Sequence, residues 1–165
     1  QIFDNTTAEF PITKSAISIN LKMPEHTFNK TSYFLKKFGL ARKLIVLGLT
    51  YRDQVGDIRN SASLDLVNKF INANYEVITH DPMINEKIPD YFNLVEKLPD
   101  PKSFGAVIFT VSHLFYQELD LVNWLSNFQG VVIDANNVLN KKNILDLKKN
   151  KINLKVIGRG DLWKY

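Results

Sequence analysis

Cysteine is absent from all 165 residues, which removes disulfides, thiolate metal sites and thiol nucleophiles together and suits a reducing compartment such as the cytoplasm. No uninterrupted apolar run approaches the roughly 20 residues of a membrane span, so no membrane insertion is expected. No G-x-G-x-x-G block occurs, so a dinucleotide loop of the usual kind is missing. The three histidines, His26, His80 and His113, never stand at ligand spacing, and no metal site is expected. Internal repeats, low-complexity tracts and a signal peptide are also missing, and the chain begins at Gln1 rather than Met, which reads as a cut from something larger.

What remains is the composition of a soluble globular protein, 45% hydrophobic and 23% charged. The length accommodates one core of ordinary size plus an appendage. The net charge of +4 could suit nucleic acid, but much of the excess lies in Lys141, Lys142, Lys148, Lys149, Lys151 and Lys155, interleaved with Asn, Leu and Ile. That spacing describes a solvated helix face, and no nucleic-acid partner is expected.

Residues 1–13 carry little pattern. From Ala16 to Lys37 the apolar residues suggest helix, interrupted near Pro24, with a boundary there and a new helix beyond it. Gly39 offers a stop. The rhythm then changes to short β-rich runs, Leu44 to Leu47, Glu76 to Thr79, Ala106 to Val111, Val131 to Asp134 and Leu154 to Ile157. Helices are expected over Ser63 to Asn72, near Tyr91 to Lys97, over Leu114 to Leu125 and over Lys142 to Lys149. Strands that are apolar throughout require burial on both faces, so the expected fold is α/β, an open doubly wound, mainly parallel sheet of about five strands preceded by a helical segment. Ligands of such sheets bind beyond the carboxyl ends of the strands.

One of those ends stands out. After Leu44 to Leu47 the chain breaks at Gly48 and enters a polar loop with two arginines, Arg52 and Arg59, before the helical pattern resumes at Leu64. A strand, a cationic loop and a helix in that order suggest an anion site. Both arginines could instead pair locally, with Asp53 and Asp57, and for Arg59 the two roles can coexist. His80 and His113 are candidate acid-base residues because histidine as a type titrates near neutrality, yet a lone histidine is more often structural. Asp81 before Pro82 reads as a turn. Ser112 and Ser61 read as helix N-caps, while Arg159 between two glycines fits a ligand loop or simple chain exit. Trp124, Trp163 and Tyr165 read as packing residues or as contacts to absent domains.

The segment GLTYRDQVGDIRNSAS followed by YEVITHDP resembles the C-terminal domain of the UDP-glucose/GDP-mannose dehydrogenase family, through Gly48, Leu49, Tyr51, Asp57, Arg59, Ser61, Asp81 and Pro82. VIFTVSHLFY, VVIDANNVL and VIGRG are similar to later blocks of the family in the same order, and INLKMPEHTFNK to the stretch that leaves its central dimerisation helix. The resemblance implies a Rossmann-like domain over 41–165 that binds a UDP-sugar, preceded over 1–40 by the end of the dimerisation helix. It implies NAD-dependent oxidation of a nucleotide sugar to a uronic acid, an N-terminal NAD-binding domain of the same protein as partner, and a homodimer.

Carried over residue by residue, the resemblance implies that Tyr51 and Arg52 contact the nucleotide sugar and that Arg59 reaches the NAD. Guanidinium groups suit bidentate contact with pyrophosphate oxygens, and a tyrosine ring can stack on a base. Two departures matter. Arg52 stands where the family often has lysine, and Asp134-Ala135-Asn136-Asn137 stands where many members have Asp-Gly-Arg-Asn, so Asn136 donates a hydrogen bond without neutralising a phosphate. This leaves UDP or GDP open, and points toward N-acetylated hexosamine substrates. The family's cysteine nucleophile and glycine-rich NAD loop are not in this chain, which by itself should be catalytically inert. The alternatives are a stand-alone nucleotide-sugar-binding or regulatory module, and a domain for another phosphorylated metabolite.

Overall fold

The computed structural model describes residues 10–159. The start of the patternless lead-in, residues 1–9, and Gly160, Trp163 and Tyr165 lie outside the described residues. The elements are α1 (Pro11–Phe38), β1 (Lys43–Leu47), α2 (Ala62–Asn72), β2 (Glu76–His80), β3 (Ala106–Phe109), α3 (Leu114–Glu118), α4 (Leu121–Trp124), β4 (Val131–Asp134), α5 (Lys141–Lys149) and β5 (Leu154–Val156).

The five strands form one sheet in the order β2-β1-β3-β4-β5, with every neighbouring pair parallel. Their apolar runs divide by alternation, as strand geometry requires. Leu44, Val46, Ala106, Ile108, Val131 and Ile133 face a core completed by Leu66, Val67 and Phe70 of α2 and by Phe34 and Leu35 of α1. Ile45, Leu47, Val107, Phe109, Val132 and Val156 face a second core with Tyr116, Leu121, Leu125 and Leu147. The expected doubly wound parallel fold is therefore the one present, and burial on both faces explains why these strands show no polar alternation.

Three expected elements differ. First, α1 runs unbroken through Pro24. Proline removes the bond to the Asn20 carbonyl, but Pro24 is itself buried beside Thr27, with Thr31, Phe34 and Leu35 buried further along the helix, so tertiary packing holds what local preference would end. Phe28 packs on Phe70 with ring centroids 5.0 Å apart. Second, the expected helix over Leu114 to Leu125 is two short helices. Leu119 is extended, and the Asp120 carboxylate accepts from the Asn123 N–H at 3.1 Å to start α4 afresh. Third, Tyr91 to Lys97 holds only a 3₁₀ turn over Asp90–Phe92, after which the Val95 N–H donates to the Thr79 carbonyl at 2.9 Å. That stretch covers the otherwise open edge of β2.

Capping gives one agreement and one correction. The Ser61 hydroxyl accepts from the Ser63 N–H at 3.2 Å at the start of α2. The N-cap of α3 is His113, not Ser112, with no side-chain capping bond, because the His113 ring is engaged elsewhere. In α5, Asn140 and Asn143 form a reciprocal capping box. Lys141, Lys142 and Lys149 point to solvent while Leu147 is fully buried, as expected of a solvated lysine face. Lys155 departs from it: it lies buried in β5 with its ammonium 5.7 Å from the Phe34 ring centroid, because the helix ends before it and strand alternation turns it toward the α1 side.

Candidate functional site at the carboxyl edge of the sheet

The chain leaves β1 toward one face of the sheet and β3 toward the other, so in the order 2-1-3-4-5 a crevice opens between their carboxyl ends. The β1 exit is made by Gly48 at φ +100, where an added Cβ would lie 2.6 Å from the Val111 Cβ. Only glycine fits that crossing of the β1 and β3 exits. Thr110 ties the two exits further, its N–H and hydroxyl both donating to the Leu47 carbonyl, at 3.0 and 2.9 Å.

The loop over 48–61 is held from beneath by two side chains distant in sequence. Asp81 Oδ2 accepts from the Leu49 and Thr50 N–H groups at 2.6 and 3.0 Å, while Oδ1 accepts from the Met83 N–H at 2.8 Å and closes the expected turn before Pro82. Burial works against the charged carboxylate, but the His113 imidazole and the Leu49 and Met83 amides outweigh it and hold the Asp81 pKa below the ordinary carboxylate range. His113, fully buried, lies with Nε2 3.2 Å from Asp81 Oδ2 and 3.0 Å from the Thr50 hydroxyl. The Gln54 N–H donates to His113 Nδ1 at 3.1 Å. His113 is thus a hydrogen-bonded structural residue.

Above this platform the candidate ligand residues face solvent. Tyr51 is 64% exposed, and its N–H donates to the Asp57 carbonyl at 2.7 Å, closing the loop on itself. Arg52 is exposed, and among the described residues no ion pair joins it to Asp53. Arg59 does take its local partner: Nε donates to Asp57 Oδ1 at 3.0 Å and the terminal nitrogen to Oδ2 at 2.7 Å. That fork lowers the Asp57 pKa to about 2. The Arg59 side chain nevertheless remains 84% exposed, so the pair leaves guanidinium surface for another anion.

The β4 exit is organised by Asp134, which is fully buried. Its Oδ1 accepts from the Asn136 and Val138 N–H groups at 3.2 and 2.8 Å and its Oδ2 from the Leu139 N–H at 3.0 Å. Burial pushes the Asp134 pKa up, and the Leu139, Val138 and Asn136 amides offset only part of that. The Asn136 side chain donates to the Thr110 carbonyl at 3.3 Å, which links the β4 loop to the β3 exit and through Thr110 to β1. Asn136 also lines a cleft of about 280 Å³ together with Asn20, Met23, Thr27, Ser63 and Thr110. Behind the edge, the Tyr116 hydroxyl donates to the His80 carbonyl at 2.7 Å and lies 3.0 Å from His80 Nδ1. Both rings are buried, with the Tyr116 pKa raised and the His80 pKa lowered, each first by burial. Among the described residues no group of three or more His, Cys, Asp or Glu could hold a metal ion, and no helix is long and apolar enough to cross a membrane.

The family model for the UDP-glucose/GDP-mannose dehydrogenase family, UDP binding domain, matches residues 45–141, from β1 through the Asn136 loop. The chain belongs to this family. Among curated relatives it is 29% identical over 153 residues to a UDP-N-acetyl-D-mannosamine dehydrogenase of Methanococcus vannielii, covering 89% of this chain and 34% of the relative. It is 24% identical over 151 residues to a UDP-glucose 6-dehydrogenase of Rickettsia felis, covering 86% and 33%. The chain therefore spans about a third of the length of these relatives. In fold it is similar to the NDP-N-acetyl-D-galactosaminuronic acid dehydrogenase of Methanosarcina mazei, with a TM-score of 0.76 at 22% identity over 93% of this chain and 34% of that one.

Within this UDP-binding domain, the structure brings Tyr51, Arg52 and Arg59 onto one loop and joins Asn136 to it through Thr110. Sequence reading missed the residues that build the platform, Thr50, Gln54 and Thr110, and missed that Asp81 reaches back to β1. These partners lie 31 to 63 positions apart in the chain, beyond the reach of any local pattern. The one available signal was their shared place at strand carboxyl ends.

Proposed function

We propose that this chain is the nucleotide-sugar-holding part of an NAD-dependent UDP-sugar 6-dehydrogenase, with 41–165 as the UDP-binding domain and 1–40 as the end of the dimerisation helix. The observation that carries the reading is the family match over 45–141, a span that contains the cationic loop and Asn136. Tyr51 packs on the base or ribose, Arg52 takes the pyrophosphate, and Asn136 donates a neutral hydrogen bond. A loop with an exposed guanidinium at the crevice between β1 and β3 supports that arrangement.

The substrate in this reading is a UDP-hexose or UDP-N-acetylhexosamine oxidised to its uronic acid. Relatives of both descriptions match the chain, and the neutral Asn136 beside a cleft lined by Asn20, Thr27, Ser63 and Thr110 favours an amide-bearing sugar. NAD does not fit the described residues as a resident group, since 48–61 holds no glycine-rich cradle. Arg59 offers one charge-assisted contact to a dinucleotide held by a separate N-terminal domain of the same protein. A homodimer through α1 agrees with the exposure of Ile12, Ile19 and Leu21, 85%, 61% and 75%, on its N-terminal half.

Calorimetric titration of the 165-residue chain with UDP, UDP-N-acetylhexosamines and GDP tests the reading. UDP compounds are expected to bind and to raise the melting temperature, a hundredfold excess over Kd adding about 2.7 kcal/mol. Tighter binding of GDP, or of no nucleotide at all, overturns it. With neither a glycine-rich NAD loop nor a cysteine in the chain, NAD reduction by these residues alone is expected to be absent.

A further inference from the structure

The two ends of the ligand loop's tip are gripped by one imidazole. Thr50 precedes Tyr51 and Arg52, and Gln54 follows them; the Thr50 hydroxyl is 3.0 Å from His113 Nε2, and the Gln54 N–H donates to His113 Nδ1 at 3.1 Å. An Nδ1 that accepts carries no proton, so the neutral ring's hydrogen sits on Nε2, directed at Asp81 Oδ2 and the Thr50 oxygen. The Thr50 hydroxyl then spends its own proton on the Arg52 carbonyl, 3.1 Å away. Gln54 sits at φ +57, a left-handed conformation that a non-glycine residue keeps only when its surroundings hold it. Asp81, fully desolvated at the side chain, fixes the ring from the β2 side and also holds the Leu49 and Thr50 amides.

We propose that His113, in its Nε2–H form, is the positioning residue of the nucleotide site, setting the spacing between Thr50 and Gln54 and so the direction in which Tyr51 and Arg52 are presented. The inference rests on the proposed role of Tyr51 and Arg52 as the ligand contacts. His113 itself touches no ligand. Its two nitrogens do separate jobs: Nε2 joins the ring to Asp81 and Thr50, and Nδ1 alone restrains the far end of the tip. The jobs can therefore be separated by substitution. Glutamine carries a donor near the place of Nε2 and nothing at Nδ1, whereas asparagine carries an acceptor near the place of Nδ1.

The test uses the 165-residue chain with UDP as probe. Nitrogen-15 NMR of the unsubstituted protein should show the Nε2–H tautomer at His113 and a Gln54 amide whose hydrogen exchange is slowed at least tenfold relative to an unstructured peptide. His113→Gln should release the Gln54 amide to fast exchange, leave the Leu49 amide protected by Asp81, and weaken UDP binding at least tenfold. His113→Asn should restore Gln54 protection and most of the affinity. An Nδ1–H tautomer, a Gln54 amide that exchanges freely in the unsubstituted protein, or UDP binding by His113→Gln equal to that of the parent would overturn the proposal. The first two readouts need no variant to fold. If the parent binds no UDP, the functional reading fails, and the tautomer and exchange measurements still decide whether His113 holds the loop.

Discussion

At the scale of single residues the candidate site separates exposed side chains, proposed above as the ligand contacts, from buried ones that hold their loop. Arg52 belongs to the first group, and Arg52→Ala is expected to weaken UDP binding by about tenfold to a hundredfold, the worth of one hydrogen bond to a charged group, while the unliganded melting temperature stays within a degree or so. Titration calorimetry and thermal melts on the same sample check both halves. Asp134 belongs to the second. Burial raises its pKa, so the charged form opposes folding at neutral pH, and that cost shrinks as pH falls through the folded value. Asp134→Asn removes the charge but turns an amide donor toward a backbone N–H, since three amides converge on two carboxylate oxygens. The second effect is expected to win, with a net loss of about 1–2 kcal/mol at pH 7 by urea unfolding. That Tyr51, Arg52 and Arg59 share an exposed loop after β1 was legible, because a strand end followed by polar residues is a local fact, while their ligand roles rest on the family resemblance. The roles of Asp81 and His113 were not, because their partners come from other strands.

At the scale of elements, α1 shows where local preference yields. Pro24 predicts a boundary, and the helix continues because Pro24, Thr27, Thr31, Phe34 and Leu35 are buried along one side. The missing bond to the Asn20 carbonyl costs of order 3 kcal/mol, and burial of a small ring recovers only part of it. Pro24→Ala is therefore expected to stabilise the chain by about 1–2 kcal/mol, read as a higher urea midpoint at unchanged slope; a lower midpoint would mean the ring's packing outweighs the lost bond. The opposite failure occurs over Leu114 to Leu125, where an apolar pattern suited to one helix is cut by Asp120, whose carboxylate finds the Asn123 amide and restarts the chain. The strands were read nearly to their ends, because a run that must be buried on both faces has few other solutions.

At the scale of the whole molecule, two buried networks lie side by side beneath the carboxyl edge, His113 with Asp81 and His80 with Tyr116, and they set how folding responds to acid. Burial lowers the His80 pKa, so the unfolded chain takes up a proton first. Stability is expected to fall as pH drops below histidine's ordinary value of about 6.5. Asp81, whose folded pKa is depressed, adds stability above the ordinary carboxylate value of about 3.9 and loses it only below that. Thermal melts from pH 7.5 to 5 should show the first decline, and His80→Asn, which keeps a donor toward the Tyr116 hydroxyl, should flatten it; an equal decline in the variant would assign the effect elsewhere. By itself the sequence determined the α/β class, the parallel sheet and the loop that carries the arginines, because hydrophobic burial and turn chemistry act over a few residues. The Arg59–Asp57 fork joins residues two positions apart and was open to the sequence as a local pairing. Only the tertiary structure decided that Asp81 and His113 hold that loop from beneath and that Asn136 reaches it through Thr110. Those outcomes depend on which strand ends lie side by side, and strand order is a property of the assembled sheet.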